Sequence, residues 1–453
     1  MSSAPADAQE WARGALAGAI VATVGFYVGW LLWSLDHEPY ESWAPIIVAP
    51  LLFCTSLPVM AKIARRTRGA PGFGLLATAL ALKMATAVIY LELTNALYDG
   101  VGDFTLYHDG GSRLATSYRD GIWDFDVPVP GYGFIQILTG LVYCVTGTSL
   151  LAGFLVFSWL AFWGLVLIVL AARTAIPEID ARRYSWLVLL LPSTLYWSSA
   201  VGKDAWMALA IGLCVLGVAR LLTDAKGGFL LLLLGLTAAG LTRPHIGLMV
   251  FGALVLAYLV RRAPTSVLGP WRKLLGIAVI ALIGIVIVQQ ATTFLKIDDL
   301  SPDSVETAMD RASSTSSGGG ANVEPAVGGS VTRLPWAALT VLLRPFPWEA
   351  HNVQSLVTAL EGVFLVALAW RSRDRLRTVV GSARRRPYLL FVAGYSVVFV
   401  YAFSSVANLG TLARERVQLV PLLLLFVCMP PKRGVKSFSP LSAARSARVG
   451  PRC

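Results

Sequence analysis

Charged residues are scarce in this sequence. They make up 14% of its 453 residues, whereas hydrophobic residues make up 56% and the mean hydropathy is +0.66. Soluble globular chains carry about 25% charged residues, so this composition excludes an ordinary soluble domain. Apolar windows of roughly 17 to 25 residues, long enough to span a bilayer, recur along the chain. In lipid such windows must be helical, because unpaired backbone groups are costly there.

The spacing of these windows predicts an all-α polytopic membrane protein with about twelve transmembrane helices. The lipid bilayer is therefore the first expected partner. One apolar run, "YGFIQILTGLVYCVTG" at 132–147, is interpreted as an interfacial helix on the outer side, because a span there would reverse the charge pattern of every later loop. The sequence "MSSAPADAQEWAR" leads into the first helix, so no cleavable signal peptide is expected.

Cysteine is also scarce. The five cysteines, at positions 54, 144, 214, 428 and 453, show no paired spacing, and four lie in or beside apolar runs. This pattern predicts neither a disulfide framework nor a metal knuckle. A soluble nucleotide-sugar motif, a Gly-rich phosphate loop and a Ser-His-Asp arrangement are absent as well.

The basic residues are unevenly placed. The formal net charge of +12 could indicate nucleic-acid binding, but Lys and Arg cluster in short loops that alternate with acidic or mixed loops. The clusters lie at 62–68, 173–183, 261–273, 371–386 and 432–452. This positive-inside pattern predicts a multi-pass protein of the cytoplasmic (inner) membrane with both termini in the cytoplasm. No nucleic-acid partner is expected.

These assignments divide the chain into six segments. They are a cytoplasmic tail with three leading spans (1–97), a large outer loop with the interfacial helix (98–148), a transmembrane core (149–296), an outer loop with a flexible Gly/Ser stretch and a re-entrant segment (297–352), C-terminal spans (353–430) and a basic cytoplasmic tail (431–453).

Ionisable residues gather in the first outer loop. The stretch "GDFTLYHDGG" contains Asp103, Tyr107, His108 and Asp109, and a helix there would place Asp103 and Tyr107 on one face. A carboxylate beside a lipid-covered pocket is a natural general base. Asp103 and Asp109 could instead ligate a divalent cation such as Mg or Mn, and the alternative to both is a solvated loop. The sequence leaves open whether Asp103 or Asp109 is the base.

A second outer turn carries an adjacent Lys-Asp pair. "LPSTLYWSSAVGKDAWMALAIG" at 191–212 ends one expected span and begins the next, with Lys203 and Asp204 at the turn. Asp204 could simply be a carboxylate favoured by a helix N-terminus. Ionisable residues between two apolar spans are costly to hold there, however, so a functional role is favoured.

Several basic residues occur at expected outer turns, where the charge rule predicts few. They are Arg243, His245, Arg344, Arg414 and Arg416. Because Arg makes bidentate contacts to phosphate oxygens, their recurrence on one side favours a lipid-linked phosphate as the bound group, with Lys203, Tyr107 and His108 as further contributors. Any one of these Arg residues could instead be a snorkelling anchor.

Two carboxylates and several Arg residues at one membrane face are typical of a lipid-phosphate-dependent glycosyltransferase. One Asp would deprotonate the acceptor hydroxyl, which would then attack the anomeric carbon of the sugar. The Arg and Lys groups would stabilise the charge on the departing phosphate.

An ordered set of features across roughly residues 98–260 resembles a known family. The set comprises an outer-loop Asp in "GDFTLYHDGG", an interfacial helix ending "VTGTS", a span with a basic end, and a span closing on "PSTLYWSSAVGKDAW". This layout resembles GT-C fold glycosyltransferases, the class of protein O-mannosyltransferases and aminoarabinose transferases. The resemblance implies a GT-C-like core at 149–296, catalytic carboxylates at Asp103 and Asp204, a polyprenyl-phosphate-linked sugar donor, and a glycan or lipid acceptor in the cell envelope.

Three other functions are compatible with the sequence. The ending "NLGTLARERVQLVP" is also similar to polysaccharide polymerases that join lipid-linked repeats. A transporter or flippase of lipid-linked oligosaccharides would also bind phosphate through Arg, but it would place charges inside spans, where Lys83 and Glu361 are candidates to pair. A structural scaffold would be unaffected by loss of Asp103 or Asp204.

Overall fold

The computed structural model describes residues 6–66, 71–123, 125–261, 269–317, 323, 333–383 and 385–431. Within these residues 82% of the structure is helical and there is no strand, which confirms the all-α prediction. The tail at 432–453 and most of the Gly/Ser-rich stretch, at 318–322 and 324–332, lie outside the described residues.

The described helices that precede residue 262 are α1 (Ala6–His37), α2 (Tyr40–Arg66), α3 (Phe73–Tyr98), α4 (Asp103–Arg119), α5 (Tyr132–Thr146), α6 (Leu150–Ala175), α7 (Ala181–Leu190), α8 (Pro192–Tyr196), α9 (Lys203–Leu222), α10 (Gly228–Gly240) and α11 (Pro244–Val260). The described helices that follow are α12 (Gly269–Leu295), α13 (Pro302–Ser316), α14 (Leu334–Leu343), α15 (Val353–Arg371), α16 (Arg373–Ala383), α17 (Pro387–Phe403), α18 (Leu409–Glu415) and α19 (Val420–Val427), with short 3-10 helices at Pro347–Glu349 and Arg416–Gln418.

Six of the described helices are long and apolar enough to cross a membrane, and they indicate a multi-pass protein in a lipid bilayer. They are Tyr40–Arg65, Phe73–Tyr98, Leu150–Ala175, Lys203–Leu222, Lys273–Leu295 and Val353–Arg371. The predicted count of about twelve does not fit these helices. Five further apolar helices have only 10–17 residues, whereas a crossing needs about 20.

Three of the expected spans, which the apolar windows place at about 184–200, 228–242 and 417–430, are interrupted or shortened in the structure. The window 184–200 splits into α7 and α8 because Pro192 has no N–H for the hydrogen-bond ladder and instead begins a new helix. The window 228–242 forms the 13-residue α10. The window 417–430 forms a 3-10 turn and then the 8-residue α19, which also begins beside a proline.

The segment that the sequence predicts as the first outer loop is a helical hairpin. The apolar run at 132–147 forms the helix α5, and the preceding acidic stretch forms α4, which packs against it. Gly111 and Gly140 lie at the crossing, where a Cβ on Gly111 would come 3.2 Å from the Gly140 nitrogen. The glycine pair in "GDFTLYHDGG" therefore allows close helix packing, and the start of α4 is held beside the bundle.

Helices α6 and α9 pack side by side at the centre of the bundle. A Cβ on Gly164 would lie 2.2 Å from the Ala208 carbonyl oxygen, and a Cβ on Gly212 would lie 2.4 Å from the Gly164 oxygen. Small residues permit such backbone approach in membrane helices, whose association depends on van der Waals packing. The contact fixes the position of α9, which begins with Lys203 and Asp204.

Two buried charges hold the short helix α8. Lys83 Nζ donates to the carbonyl oxygens of Thr194 and Leu195, both at 2.8 Å, and to Ser198 Oγ at 2.6 Å. At the other end of α8, Glu361 Oε2 accepts from the Ser193 N–H at 2.7 Å. The suggested pairing of Lys83 with Glu361 is therefore wrong, because each charge binds the backbone of α8 with the sign that its helix end favours.

We expect Lys83→Met to lower the free energy of unfolding by about 2–4 kcal/mol, because it removes the charge-assisted hydrogen bonds from Lys83 to two carbonyl groups of α8. The matched control is Lys62→Met, since Lys62 is exposed on α2 and such substitutions change stability by about 0.5 kcal/mol or less. Thermal unfolding of the purified protein in detergent measures both. Equal melting temperatures for the two variants would show that α8 does not depend on Lys83.

Candidate active site

Four helix ends converge on one group of charged side chains. Asp103 begins α4, and Lys203 and Asp204 begin α9. Arg243 precedes α11, whose first residue is Pro244, and Arg414 lies at the end of α18. Carboxylates in a first helical turn and a cation in a last turn are each favoured by the helix dipole. Helix packing brings both charge signs together, and the two carboxylates and Arg414 lie at helix ends that favour their charge.

The charges form a chain of alternating sign. Its order is Asp103, Arg414, Asp204, Arg243 and Glu415. Arg414 Nη1 donates to Asp103 Oδ2 at 2.6 Å, and Arg414 Nε lies 3.2 Å from Asp204 Oδ2. Arg243 Nη2 lies 3.1 Å from Asp204 Oδ1, while its Nη1 donates to Glu415. Arg414 therefore joins the two acidic residues that the sequence proposed as catalytic.

The ion pairs around Asp204 have short distances between their charged groups, but their hydrogen bonding is incomplete. Asp204 Oδ1 and Arg414 Nε are both buried, and neither has an aligned hydrogen-bond partner among the described residues. Buried polar atoms in native structures are normally satisfied, by protein, by water or by a ligand. The centre of the network thus retains hydrogen-bonding capacity for a polar group that enters from outside.

A small polar hollow of about 90 Å³ opens beside the network. Its wall includes Asp103, Lys203, Asp204, Arg243 and Arg414, together with Tyr90, Phe104, Tyr107, Trp197 and the 200–202 backbone segment. Burial, and then the negative charge of Asp204, raises the pKa of Tyr107, so its hydroxyl stays protonated at neutral pH. The side chain of Asp103 is 63% exposed and that of Asp204 only 17%. Asp103 is therefore the carboxylate that solvent or a substrate reaches.

A larger hollow of about 570 Å³ adjoins the small one across Trp197. Its polar lining includes Arg344, Glu349, His351, Asn352 and Gln354. Arg344 Nε and Nη2 donate to Glu349 Oε1 at 3.0 and 2.5 Å. Partial burial raises the pKa of Glu349, but the hydrogen bonds from Arg344 and the Phe346 N–H outweigh that effect and lower it overall. Arg344 thus belongs to this second hollow rather than to the charge network.

Three of the sequence-proposed residues lie elsewhere. His108 Nδ1 is 2.8 Å from the Tyr143 hydroxyl, on the side of α4 that faces α5. His245 is half-buried and stacks on Phe294. Arg416 is fully buried, and its guanidinium donates to the carbonyl groups of Leu342, Arg344 and Thr358. We therefore correct the phosphate-binding assignment of Arg416: it holds backbone segments together and does not line the hollow.

The possible metal pair of Asp103 and Asp109 is not brought together as a ligand set. Asp109 is exposed on α4 and does not line the small hollow. Within the described part of the chain, no group of three or more His, Cys, Asp or Glu could hold a metal ion. Asp103 is instead occupied by a cation from the protein, namely Arg414.

Sequence reasoning missed Glu415 and Gln418. Gln418 Nε2 donates to Glu415 Oε2 at 2.5 Å, so the acid at the end of the charge chain is held from both sides. The signal was present in "ARERV", where a Glu stands between two Arg residues. Its burial could not be inferred from this pattern, because such a run is equally typical of a solvated helix face.

No protein-family model matches the chain, and neither a curated protein nor a solved structure does so. The geometry of the site is therefore the basis for any functional assignment.

We expect Arg243→Gln to destabilise the protein by about 3–5 kcal/mol, because it leaves the buried Glu415 carboxylate without its cation. Burial raises the pKa of Glu415. With Arg243 gone, this rise is larger, so the folded variant binds a proton more readily than the unfolded chain. The deficit should then shrink as the pH falls from 8 toward 5.

The double variant Arg243→Gln, Glu415→Gln tests this explanation, because a neutral amide pair should recover most of the loss. Arg377→Gln is the surface control, since Arg377 pairs with Asp374 on exposed side chains and should cost less than about 1 kcal/mol. Thermal unfolding in detergent at several pH values measures all three. A double variant as unstable as Arg243→Gln would contradict the charge-pair explanation.

Proposed function

We propose that this protein is an integral membrane glycosyltransferase that transfers a sugar from a polyprenyl-phosphate donor to a cell-envelope acceptor, on the outer face of the cytoplasmic membrane. The observation that carries the proposal is the bridge made by Arg414 between Asp103 and Asp204 beside a polar hollow. A carboxylate and several phosphate-binding cations thereby meet at helix ends of an apolar bundle, as such a reaction needs.

The outer-face location is supported by the charge pattern. The hollow lies at the first turn of α9, whereas the last turn of α9 carries Arg220, near Arg261 and Lys273. Basic residues concentrate on the cytoplasmic side of membrane proteins, so the opposite end of the same helix faces outward. A polyprenyl donor would reach this end with its phosphate at the bilayer surface and its chain in lipid.

Donor phosphate would be held by Arg414, Arg243 and Lys203, the three cations of the hollow. Arg414 and Arg243 are already paired with carboxylates, so a phosphate must share or replace those partners, whereas Lys203 forms no ion pair among the described residues. Arg414 is the cation best placed for this exchange, because its partner Asp103 is largely exposed and is easily rehydrated. Donor binding would draw the Arg414 guanidinium toward the phosphate and release the Asp103 carboxylate.

The released Asp103 would act as general base. It would take the proton from the acceptor hydroxyl, whose oxygen would form the new bond to the anomeric carbon. The bond from that carbon to the phosphate oxygen would break, and polyprenyl phosphate would depart with the electron pair and its negative charge. Arg414 and Arg243 would stabilise that charge as it develops. Asp204, which is mostly buried, would position both guanidinium groups.

The larger hollow supports a saccharide acceptor. It offers about 570 Å³ with amide, carboxylate and aromatic groups, and Trp197 separates it from the small hollow. An acceptor seated there would point a hydroxyl toward Asp103. This room also favours the second candidate function, a polymerase that joins lipid-linked repeats, because the acceptor would then be a glycan on its own lipid carrier.

The main sequence observation in favour of a transporter, two charges inside spans, has a structural explanation. Lys83 and Glu361, the charges inside spans that the sequence suggested for a transporter, both bind the backbone of α8 and stabilise the fold. They therefore do not mark a path for a phosphate through the bundle. The charges of the network, by contrast, lie together in the wall of the small hollow at the start of α9.

We expect Asp103→Asn to reduce sugar transfer by about 10²–10⁴-fold, the usual contribution of a general base. Asp204→Asn should reduce it as well, because both guanidinium groups lose their common partner. Asp109→Asn is the matched control, since Asp109 is exposed on the same helix outside the hollow. The assay uses purified protein in vesicles with polyprenyl-phosphate mannose or arabinose as donor. Wild-type turnover in Asp103→Asn would exclude this mechanism, and loss only in Asp109→Asn would move the base to Asp109.

We expect Arg414→Ala to weaken binding of a polyprenyl monophosphate by about 10–100-fold, because a charge-assisted hydrogen bond contributes about 1.5–3 kcal/mol. Trp197 lines the hollow, so its fluorescence can report the titration. The control is Arg373→Ala, which removes an exposed cation at the expected cytoplasmic side. Unchanged affinity in Arg414→Ala would remove Arg414 from the phosphate site.

A further inference from the structure

A further cavity, separate from the two hollows beside the charge network, lies at the opposite end of α9. It has a volume of about 500 Å³ and is formed by the end of α9 with α10, α11 and α12. Arg220 is 16 residues after Asp204 on α9, which corresponds to about 24 Å along the helix axis. The cavity is therefore remote from the charge network and takes no part in the proposed transfer.

The shaft of this cavity is apolar. Leu232, Leu236 and Leu254 are buried in its wall, and Ile280 and Ile283 of α12 face them. By contrast, Phe229 is 47% exposed and Leu275 is 66% exposed. These two residues lie where α10 and α12 begin, so the shaft opens sideways at the level of apolar helix surfaces that face lipid. An occupant can thus enter from the bilayer without crossing water.

The end of the cavity is basic. Arg220, Arg261 and Lys273 line it with a single acidic residue, Asp224, which pairs with Arg261. The net formal charge of these four side chains is therefore +2. Lys273 Nζ donates to the Arg261 carbonyl oxygen at 2.7 Å and to the Leu259 oxygen at 3.3 Å. These two bonds leave one of its three N–H donors for another acceptor.

We propose that this cavity binds one anionic phospholipid, with the phosphate headgroup among Arg220, Arg261 and Lys273 and an acyl chain in the shaft. The charge and the polarity of the two ends match those of such a lipid. Basic pockets between membrane helices on the cytoplasmic side are suited to anionic headgroups, and the cytoplasmic leaflet supplies these lipids. The apolar shaft offers no polar partner for a peptide, and a free phosphate would leave it unfilled.

The bound lipid would connect α12 to the rest of the bundle. Little of α12 is buried, and its contacts are chiefly with α11 and more weakly with α10. A chain seated between Leu236 and Ile283 would add packing on both sides of this gap. We therefore expect the lipid to be retained through purification and to raise the melting temperature of the protein.

Native mass spectrometry of the full-length protein in detergent tests the proposal. The probes are phosphatidylglycerol and phosphatidylcholine with identical acyl chains, together with glycerol phosphate as a headgroup without chains. We expect one tightly bound phosphatidylglycerol, at least about tenfold weaker phosphatidylcholine, and no competition from glycerol phosphate at equal concentration. Equal affinity for the two lipids, or full competition by glycerol phosphate, would overturn the assignment.

Two kinds of variant separate the headgroup site from the shaft. Arg220→Gln with Lys273→Gln should weaken phosphatidylglycerol binding roughly 25-fold, about fivefold per basic residue. The matched control is Arg182→Gln with Arg373→Gln, two exposed cations of the same expected side outside the cavity. Val279→Trp should fill the shaft and abolish the bound lipid without changing any charge.

Each of these binding measurements either supports or overturns the proposed lipid site. Wild-type binding in the Gln pair or in Val279→Trp would overturn the proposal, as would an equal loss in the control pair, which would indicate only general surface attraction. If the Gln pair fails to fold, Arg220→Gln alone, with an expected loss of about fivefold, serves in its place. None of these variants touches the charge network, so sugar transfer can be measured in the same samples as an independent readout.

Discussion

The Arg414 guanidinium must lie between two carboxylates that arrive from different parts of the chain, and much of the architecture serves that requirement. Charges at the edge of an apolar bundle are costly unless they are paired, and the loss of one partner leaves the other exposed to a low dielectric. Arg414 meets Asp103 across 311 positions of sequence and meets Asp204 through its second face. Arg243 and Glu415 extend the same alternation inward until it ends on Gln418. Each charge is thereby compensated by its neighbour.

The network keeps its geometry only if the helices that carry its side chains are held in place. Helix α9 cannot slide against α6, because Gly164 and Gly212 bring the two backbones into direct contact. The segment before α9 is held at α8 by Lys83 on the carbonyl side and Glu361 on the N–H side. The intramembrane charges and the small residues therefore both help to position the turn that carries Lys203 and Asp204. A polar site is positioned by interactions that lie in the apolar interior.

Part of this arrangement could be predicted from sequence, and the limits have physical causes. Composition was sufficient for a helical membrane protein, and the exceptions to the charge rule pointed to Arg243 and Arg414. The number of spans was overestimated because an apolar window shows how long a segment is but not whether its helix is continuous. The break at Pro192 was therefore missed. Arg416 was grouped with Arg414 although a helix turns by about 100° per residue, so that positions two apart point in nearly opposite directions. Glu415, between them, turns toward Arg243.

The two ends of α9 differ in a way that bears on how a ligand can bind. At the end that carries the charge network, three cations match three carboxylates in formal charge and Arg414 is already paired, so a phosphate that binds Arg414 must compete with Asp103. At the other end Arg220, Arg261 and Lys273 face only Asp224, so an anion finds excess positive charge. A balanced site exchanges its ligand readily, because the internal carboxylate replaces the departing phosphate, and this suits a group that must leave after each reaction. An unbalanced site above an apolar shaft lacks such a replacement and suits a ligand that stays.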